Sequence, residues 1–490
     1  MRSHLELEHT YTPGPGDEVP DLAAADGVVS VDQAEPVDLV ATYFDTEDLA
    51  LAKAGVSLRR RTGGSDAGWH LKVPAGEGRD EIGWPLGRSA RTVPVALQRS
   101  VQAWTLGLPL AAVANIETHR TTSRLLAADG AVLAEVADDR VVGTPGHDGA
   151  PPVVWREWEV ELVDGDRGLL TAVGSILEGN GVHQSSYGRK IDRVLALDPV
   201  PEPPDPKTAA GLLQRRLVDQ LALLRLHDSA IRRRVPDSVH QFRVTCRRLR
   251  GALATFRPVL GRAVTEPIRA DLRWVARTLS DARDAEVMHA RLRELLEEEP
   301  VVVGPVRRRL QRTYRAQERE GMQRGDELLG SDRYFSLLHA LDALIADPPW
   351  RERGNDDARK LARRRLRKER RRVQGRVDVA QALAEVGGEA HDIAMHRVRK
   401  GVKRYRYALE ATTPVIGEDA DRLRDQAKGL SQVLGERQDT TVTRADLLEM
   451  AHAATDEGES AFTYGRLHAR ESMRAENLDR DFERAWPQLK

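Results

Sequence analysis

Val239-His240-Gln241-Phe242-Arg243-Val244-Thr245-Cys246-Arg247-Arg248-Leu249-Arg250 is the stretch from which the architecture can be read. On a helical period, His240, Arg243, Arg247 and Arg250 share one face, while Val239, Phe242, Cys246, Leu249 and Leu253 share another. One side of such a helix packs and the other presents cations. The pattern returns at His396, Arg399, Lys403 and Arg406, backed by Met395, Val398, Val402, Tyr405 and Leu409. Every position is displaced by 156 residues (396 − 240), which marks an internal repeat.

A second pair of segments follows at nearly the same spacing. Leu279-Ser280-Asp281-Ala282-Arg283-Asp284 with Val287 parallels Leu434-Gly435-Glu436-Arg437-Gln438-Asp439 with Val442, at an offset of 155 (434 − 279). His-x-x-Arg opening an Arg-rich amphipathic helix, twice in one chain, resembles the CHAD family (conserved histidine α-helical domain). The resemblance covers residues 207–490. It implies two helical bundles related by a pseudo-two-fold axis, with the basic helices on a shared surface, and it implies inorganic polyphosphate as ligand. The residues it points to are His240, Arg243, Arg247, Arg250, His396, Arg399, Lys403 and Arg406.

The composition fits more than one domain. The 490 residues have room for two or three. The net charge of −1 conceals an asymmetry: residues 1–200 hold 18 Lys+Arg against 30 Asp+Glu, and the remainder holds 57 (75 − 18) against 46 (76 − 30). An acidic half joined to a basic half suits different partners, the basic one a polyanion. The single cysteine, Cys246, excludes an internal disulfide framework and fits a reducing compartment. No apolar run approaches the ~20 residues of a membrane span, and no secretory apolar segment follows Met1. A cytoplasmic protein is expected, at polyphosphate granules if the ligand is the polymer.

Residues 198–206, with five prolines in nine positions, read as a stiff linker between domains 1–197 and 207–490. Before it the pattern is strand-like, with strands expected at 5–8, 37–45, 56–61, 69–73 and near 79–85, 113–124, 131–139 and 153–163. A short helical turn is expected at 48–54, and helices near 93–105, 166–180 and 187–197. After the linker the period is helical, over 208–233, 237–257, 263–297, 301–328, 333–346, 356–385, 389–413, 418–450 and 458–485. The class is α+β: an N-terminal antiparallel β-barrel with helical additions, then an all-α domain.

Alternate residues of a strand share a face. Glu6 with Glu8, Arg59 with Arg61, His70 with Lys72, Glu135 with Asp139, and Glu157 with Glu159 and Glu161 therefore form charged faces. Unpaired ions make a costly core, so in a closed barrel these faces suit a polar tunnel. Its cations would hold a phosphate chain and its carboxylates Mg²⁺ or Mn²⁺.

The order Tyr43-Phe44-Asp45-Thr46, Leu51 to Gly55, Leu58-Arg59-Arg60-Arg61 and Lys72, opened by Glu6-x-Glu8 and followed by Glu157-x-Glu159-x-Glu161, resembles the CYTH domain of the triphosphate tunnel metalloenzymes. The resemblance implies phosphate contacts from Arg59, Arg61, Lys72, Arg120 and Lys190. It implies metal ligation by Glu6, Glu8, Glu159 and Glu161, with Asp139 or Asp138 assisting. The catalytic set it implies is Glu6, Glu8, Lys72, Glu159 and Glu161, for a metal-dependent triphosphatase or short-chain polyphosphatase. Two positions depart from the family pattern. Thr10 stands where Glu-x-Glu-x-Lys has its lysine, and Ser185-Ser186-Tyr187-Gly188-Arg189-Lys190 replaces a late Ser-Lys pair, with Lys190 or Arg189 as the substitute cation.

Other readings are a surface or ion-pair role for Glu135 and a turn role for Asp45. The run from Arg359 to Arg372 either borders a binding groove or covers a helix exterior. At the level of function, the alternatives are a non-catalytic granule-binding protein with a degenerate tunnel, and a nucleic-acid binder. Against the latter, the basic faces offer almost no aromatic side chains for stacking apart from Tyr405 and Tyr407.

Overall fold

The computed structural model describes residues 2–76, 78–87, 92–146, 149–197, 205–385 and 387–489. Contacts divide the chain into two compact units, Met1–Pro201 and Glu202–Lys490. Of the expected linker, 198–204 lies outside the described residues.

In the first unit, eleven strands form one antiparallel sheet among the described residues. They are β1 (Arg2–Glu6), β2 (Glu8–Thr12), β3 (Ser30–Gln33), β4 (Val37–Asp45), β5 (Ser57–Thr62), β6 (Gly68–Ala75), β7 (Gly78–Trp84), β8 (Ala111–Leu126), β9 (Val132–Pro145), β10 (Val153–Leu162) and β11 (His183–Gln184). The order is β1-β7-β6-β5-β4-β8-β9-β10-β2-β11, with β3 against β8. Only Leu7 separates β1, which pairs with β7, from β2, which pairs with β10. One chain segment thus joins opposite ends of the strand path and curls the sheet into a tunnel.

Among the described residues, five α-helices decorate this sheet: α1 (Ala50–Lys53), α2 (Val95–Ser100), α3 (Gln102–Thr105), α4 (Arg167–Gly179) and α5 (Lys190–Leu195). Helix α4 starts at Asp166, whose side chain accepts from the Leu169 amide at 3.2 Å. It buries Leu169, Leu170, Val173 and Leu177 against the outward residues Tyr11, Val136, Trp158 and Val160. Each such side chain contributes about 1.5–3 kcal/mol of transfer free energy. Helix α5 packs Ile191 and Val194 on the inward residues Ala41, Tyr43, Ile116, Val141 and Trp155. The apolar half of the interior is therefore filled, and the charged half is left open. Asp45 caps α1, accepting from the amides of Leu51 and Ala52 at 2.9 Å each, a structural rather than a catalytic position.

The second unit is helical: α6 (Ala209–Arg232), α7 (Ser238–Thr255), α8 (Arg257–Leu260), α9 (Arg262–Thr278), α10 (Ser280–Glu297), α11 (Val306–Leu329), α12 (Asp332–Ala346), α13 (Ala358–Ala382), α14 (Gly388–Ile416), α15 (Glu418–Asp456) and α16 (Phe462–Ala485). The expected single helix over 263–297 is two, α9 and α10, divided at the buried Leu279. No glycine or proline marks that division, so the sequence carries no punctuation for it. The packing stripes behave as their spacing requires: Phe242, Cys246, Leu249 and Leu253 are fully buried, as are Val398, Val402 and Leu409. Helices α7 and α14 meet at Gly251, where an added Cβ would lie 2.8 Å from the Tyr407 Cβ. Among the described residues no helix is long and apolar enough to cross a membrane.

Candidate functional site

The open half of the tunnel is a cavity of about 270 Å³. The strand alternation that turns Trp69, Leu71 and Ile82 outward turns Lys72 and Glu81 inward. Glu6, Glu8, Arg59, Arg61, Lys72, Arg120, Glu159, Glu161 and Lys190 all line it, as expected from the sequence. Asp139 is fully buried behind Arg120, which donates to it at 2.6 and 2.7 Å. Asp138 takes the opposite face and accepts from Arg156 at 2.7 and 2.8 Å.

The structure adds lining residues that the sequence did not single out, Arg79 and Glu81, and Arg189 lines the cavity too. Glu81 accepts from or pairs with His70 at 2.6 Å, Lys72 at 3.7 Å and Arg59 at 3.9 Å. Against the effect of burial, these groups hold its carboxyl well below the usual range. Glu135 also lines the cavity and pairs with Arg124 at 3.2 Å, which satisfies its ion-pair reading.

Two carboxylate groupings differ in character. Asp139, Glu157 and Glu159 have oxygens within 4.8 Å of one another. The Lys190 ammonium stands among them, at 2.9, 2.6 and 2.5 Å. Despite burial, Lys190 and Arg120 keep Glu159 ionised well below its ordinary value. The other grouping is Glu6, Glu8 and Glu161. Glu8 and Glu161 are opposite one another in the β2–β10 register. Burial pushes the Glu161 carboxyl up to about 7, with Glu6, Glu8 and Glu159 adding to the effect and Lys72 opposing it. Burial likewise pushes Glu8 up to about 7, while Lys72 and Arg79 oppose. Lys72 holds one Glu6 oxygen at 2.5 Å, and Oε2 of Glu6 is buried without a hydrogen-bond partner. Glu8 and Glu161, which resist ionisation, and the unsatisfied buried oxygen of Glu6 share one cavity and suit a divalent cation with oxygen ligands, although among the described residues Asp139, Glu157 and Glu159 are the three carboxylates whose oxygens are gathered within 4.8 Å.

On the cation side, burial, then Arg59 and Arg120, lower the Arg61 guanidinium to about 10. Crowded cations of this kind gain from an anion placed between them.

In the helical unit, the contact between α7 and α14 brings both basic faces together. Arg247 donates to the Tyr407 hydroxyl at 3.0 Å, and Arg406 lies over the Tyr407 ring at 4.8 Å. Arg243 pairs with Asp284 at 3.0 Å. Burial, then Arg399, Arg247 and Arg406, lower the Lys403 ammonium to about 7. His396 shares a 2.5 Å hydrogen bond with Gln438, whereas His240 is exposed. Partial desolvation of its ring, with Arg247 and Arg243 nearby and Asp237 opposing, lowers His240 below its ordinary value.

A family model for the CYTH domain matches residues 14–193, and one for the CHAD domain matches 215–448. An uncharacterized protein of Mycobacterium tuberculosis, found in two strains, is 37% identical over 504 residues, covering 99% of this chain and 96% of the relative. The chain belongs to the CYTH–CHAD family. Among solved structures, PptA from Streptomyces chartreusis is 23% identical with a TM-score of 0.48, covering 57% of this chain and 98% of its own. HpAC1 from Hippeastrum, a protein with a dominant triphosphatase activity, is 14% identical with a TM-score of 0.25, covering 40% of this chain and 97% of its own.

Within the CYTH unit the departure at Thr10 has a local counterpart. Thr10 is opposite Glu159 across β2 and β10, and Glu159 is where the Lys190 ammonium sits. A cation from the start of α5 therefore occupies the neighbourhood that a lysine at position 10 would otherwise reach. Arg189, beside it, donates to the carbonyls of Val56 at 3.0 Å and Ala52 at 2.7 Å, which ties the start of α5 to the chain around α1.

Proposed function

We propose that the CYTH unit is a divalent-cation-dependent inorganic triphosphatase or short-chain polyphosphatase, and that the CHAD unit binds inorganic polyphosphate and delivers it. The observation that carries the first part is the single cavity in which Glu6, Glu8 and Glu161 face Arg59, Arg61, Lys72, Arg79 and Arg120. Glu6, Glu8 and Glu161 would hold Mg²⁺ or Mn²⁺, which when bound lowers the pKa of a coordinated water and neutralises phosphate oxygens. Arg59, Arg61 and Arg120 bind and align the anionic chain and meet the charge that grows on the transferring phosphoryl group. Lys190 and Arg120 hold Glu159 and Asp139 in place. The polymer on the CHAD unit would be bound by His240, Arg243, Arg247, Arg250, His396, Arg399, Lys403 and Arg406. Tethering then raises its concentration near the tunnel. The working compartment would be the cytoplasm, at polyphosphate granules.

Phosphate release from tripolyphosphate, ATP, thiamine triphosphate and long-chain polyphosphate, with Mg²⁺, Mn²⁺ or chelator, tests this. Release that needs the metal and disappears in Glu8→Gln/Glu161→Gln is expected. No release from any substrate, with polyphosphate still bound, supports the second reading, a non-catalytic granule protein. That reading is favoured by the Lys190 ammonium among Asp139, Glu157 and Glu159, which leaves fewer carboxylates for a metal.

A further inference from the structure

Helix α13 carries a ridge of cations that the α7/α14 face does not include. Arg364, Arg367, Lys368 and Arg371 are exposed, and among the described residues none of the four has an ion-pair partner. Arg367 and Lys368 each lie three or four positions from both Arg364 and Arg371, so like charges face one another along the ridge. A solvated helix face ordinarily interleaves acids with bases. Here the acid in the run is Glu369, which is buried and already engaged by Arg372 at 2.7 Å and Arg404 at 2.8 Å. Two clefts of about 580 and 660 Å³ lie along the ridge and share Arg364 and Arg371. Neither is lined by an acidic or an aromatic residue.

The ridge connects to the α7/α14 face through further arginines. Arg269 donates to the Arg250 carbonyl at 3.3 Å. Arg269 and Arg257 share Glu266, the former at 2.5 Å. Arg365 donates to the Ala254 carbonyl at 3.1 Å, and Arg404 and Arg372 meet on Glu369. Burial and mutual repulsion lower Arg250 to about 10, and they lower Arg269, Arg404 and Arg365 as well. Cations thus recur from Arg250 on α7 to Arg371 on α13, with Glu266 and Glu369 the acids they share.

We propose that this track is a second binding surface for linear inorganic polyphosphate, continuous with the α7/α14 face, so that one long polymer engages both. It rests on the reading of the α7/α14 face given above and adds a preference for long chains. A flexible, unbranched polyanion follows a line of cations with no base to accommodate. Nucleic acid would gain from stacking platforms, which the two clefts lack.

The test uses the full chain and two variants: Arg364→Ala/Arg367→Ala/Lys368→Ala/Arg371→Ala on α13, and Arg243→Ala/Arg247→Ala/Arg399→Ala on α7/α14. Short-chain and long-chain polyphosphate are titrated at several salt concentrations, with duplex DNA as competitor. The α13 variant is expected to bind the long chain about tenfold more weakly and to lower the log K against log salt slope by about 3, near 0.7 for each of four lost contacts. Its loss on the short chain is expected to be smaller. Arg364→Lys/Arg367→Lys/Arg371→Lys keeps the charge and should keep the binding, which separates charge from folding. Parent-like binding by the α13 variant, with loss in the α7/α14 variant, overturns the track and leaves the proposed function standing. Loss in the α13 variant alone overturns the α7/α14 reading and the continuity with it. Displacement of polyphosphate by an equal phosphate concentration of duplex DNA overturns the choice of occupant.

Discussion

Glu8 and Glu161 face one another across adjacent antiparallel strands, and both resist ionisation up to about pH 7. Their ordinary value is 4.5, so the folded state holds these protons more tightly than the unfolded chain. The stability they contribute is present below about pH 4.5 and is lost as pH rises through 7. A bound divalent cation replaces the protons. Melting temperatures measured with and without Mn²⁺ should therefore separate more at pH 8 than at pH 5.5. In Glu161→Gln without metal, the melt at pH 8 should rise by a few degrees, about 1 kcal/mol, and the response to Mn²⁺ should shrink. An unchanged metal response would remove Glu161 from the cation site.

Lys190 pairs with Asp139, Glu157 and Glu159 at once, and Arg120 pairs with Asp139 and Glu159 as well. Lys190→Met leaves those carboxylates without their shared cation and should cost about 3–5 kcal/mol, as for other broken buried ion pairs. Denaturant unfolding measures it. Adding Thr10→Lys to Lys190→Met should recover part of the loss, because position 10 is opposite Glu159. No recovery would show that the charge must come from α5.

Lys403 has its ammonium lowered to about 7 by burial and by Arg399, Arg247 and Arg406. Because the folded value lies below the ordinary 10.5, the stability tied to this group is present above that pH and is lost as pH falls through 7. A polyanion favours the charged form, so polyphosphate binding should take up protons near pH 8 and weaken as pH rises from 6 to 8. Calorimetry in buffers of different ionisation enthalpy reads the uptake. Lys403→Arg should flatten the dependence.

Gly251 lets α7 approach Tyr407 on α14. Gly251→Leu forces the helices apart at a cost of about 1–3 kcal/mol. It should lower polyphosphate affinity although no charge has changed. Equal affinity in a folded variant would mean that each helix binds on its own.

The sequence made the inward charges of the tunnel legible because a strand's period is two: once Glu6, Arg59, Lys72 and Glu159 are on strands, their faces follow. It made α7 and α14 legible because a pattern repeated at one offset names the same face twice. Arg79 and Glu81 were missed because Arg79-Asp80-Glu81 is charged at every position, so alternation offers no inward side until β7 is set against β1 and β6. The Lys190 contacts were hidden for a different reason. They depend on how a six-residue helix seats against the sheet, which Ile191 and Val194 decide through packing. The division between α9 and α10 has no local signal at all.

The seam at Leu7 has a temporal side. Glu8 pairs with Glu161, 153 positions later (161 − 8), so a segment made early on the ribosome waits for one made much later. Until β10 emerges, the strand that closes the tunnel has half its partner missing, and its edge is available to other chains. A fusion or truncation at residues 2–12 therefore acts on the last step of assembly. It would leave β3 to β9 able to pair while the cavity they surround stays open.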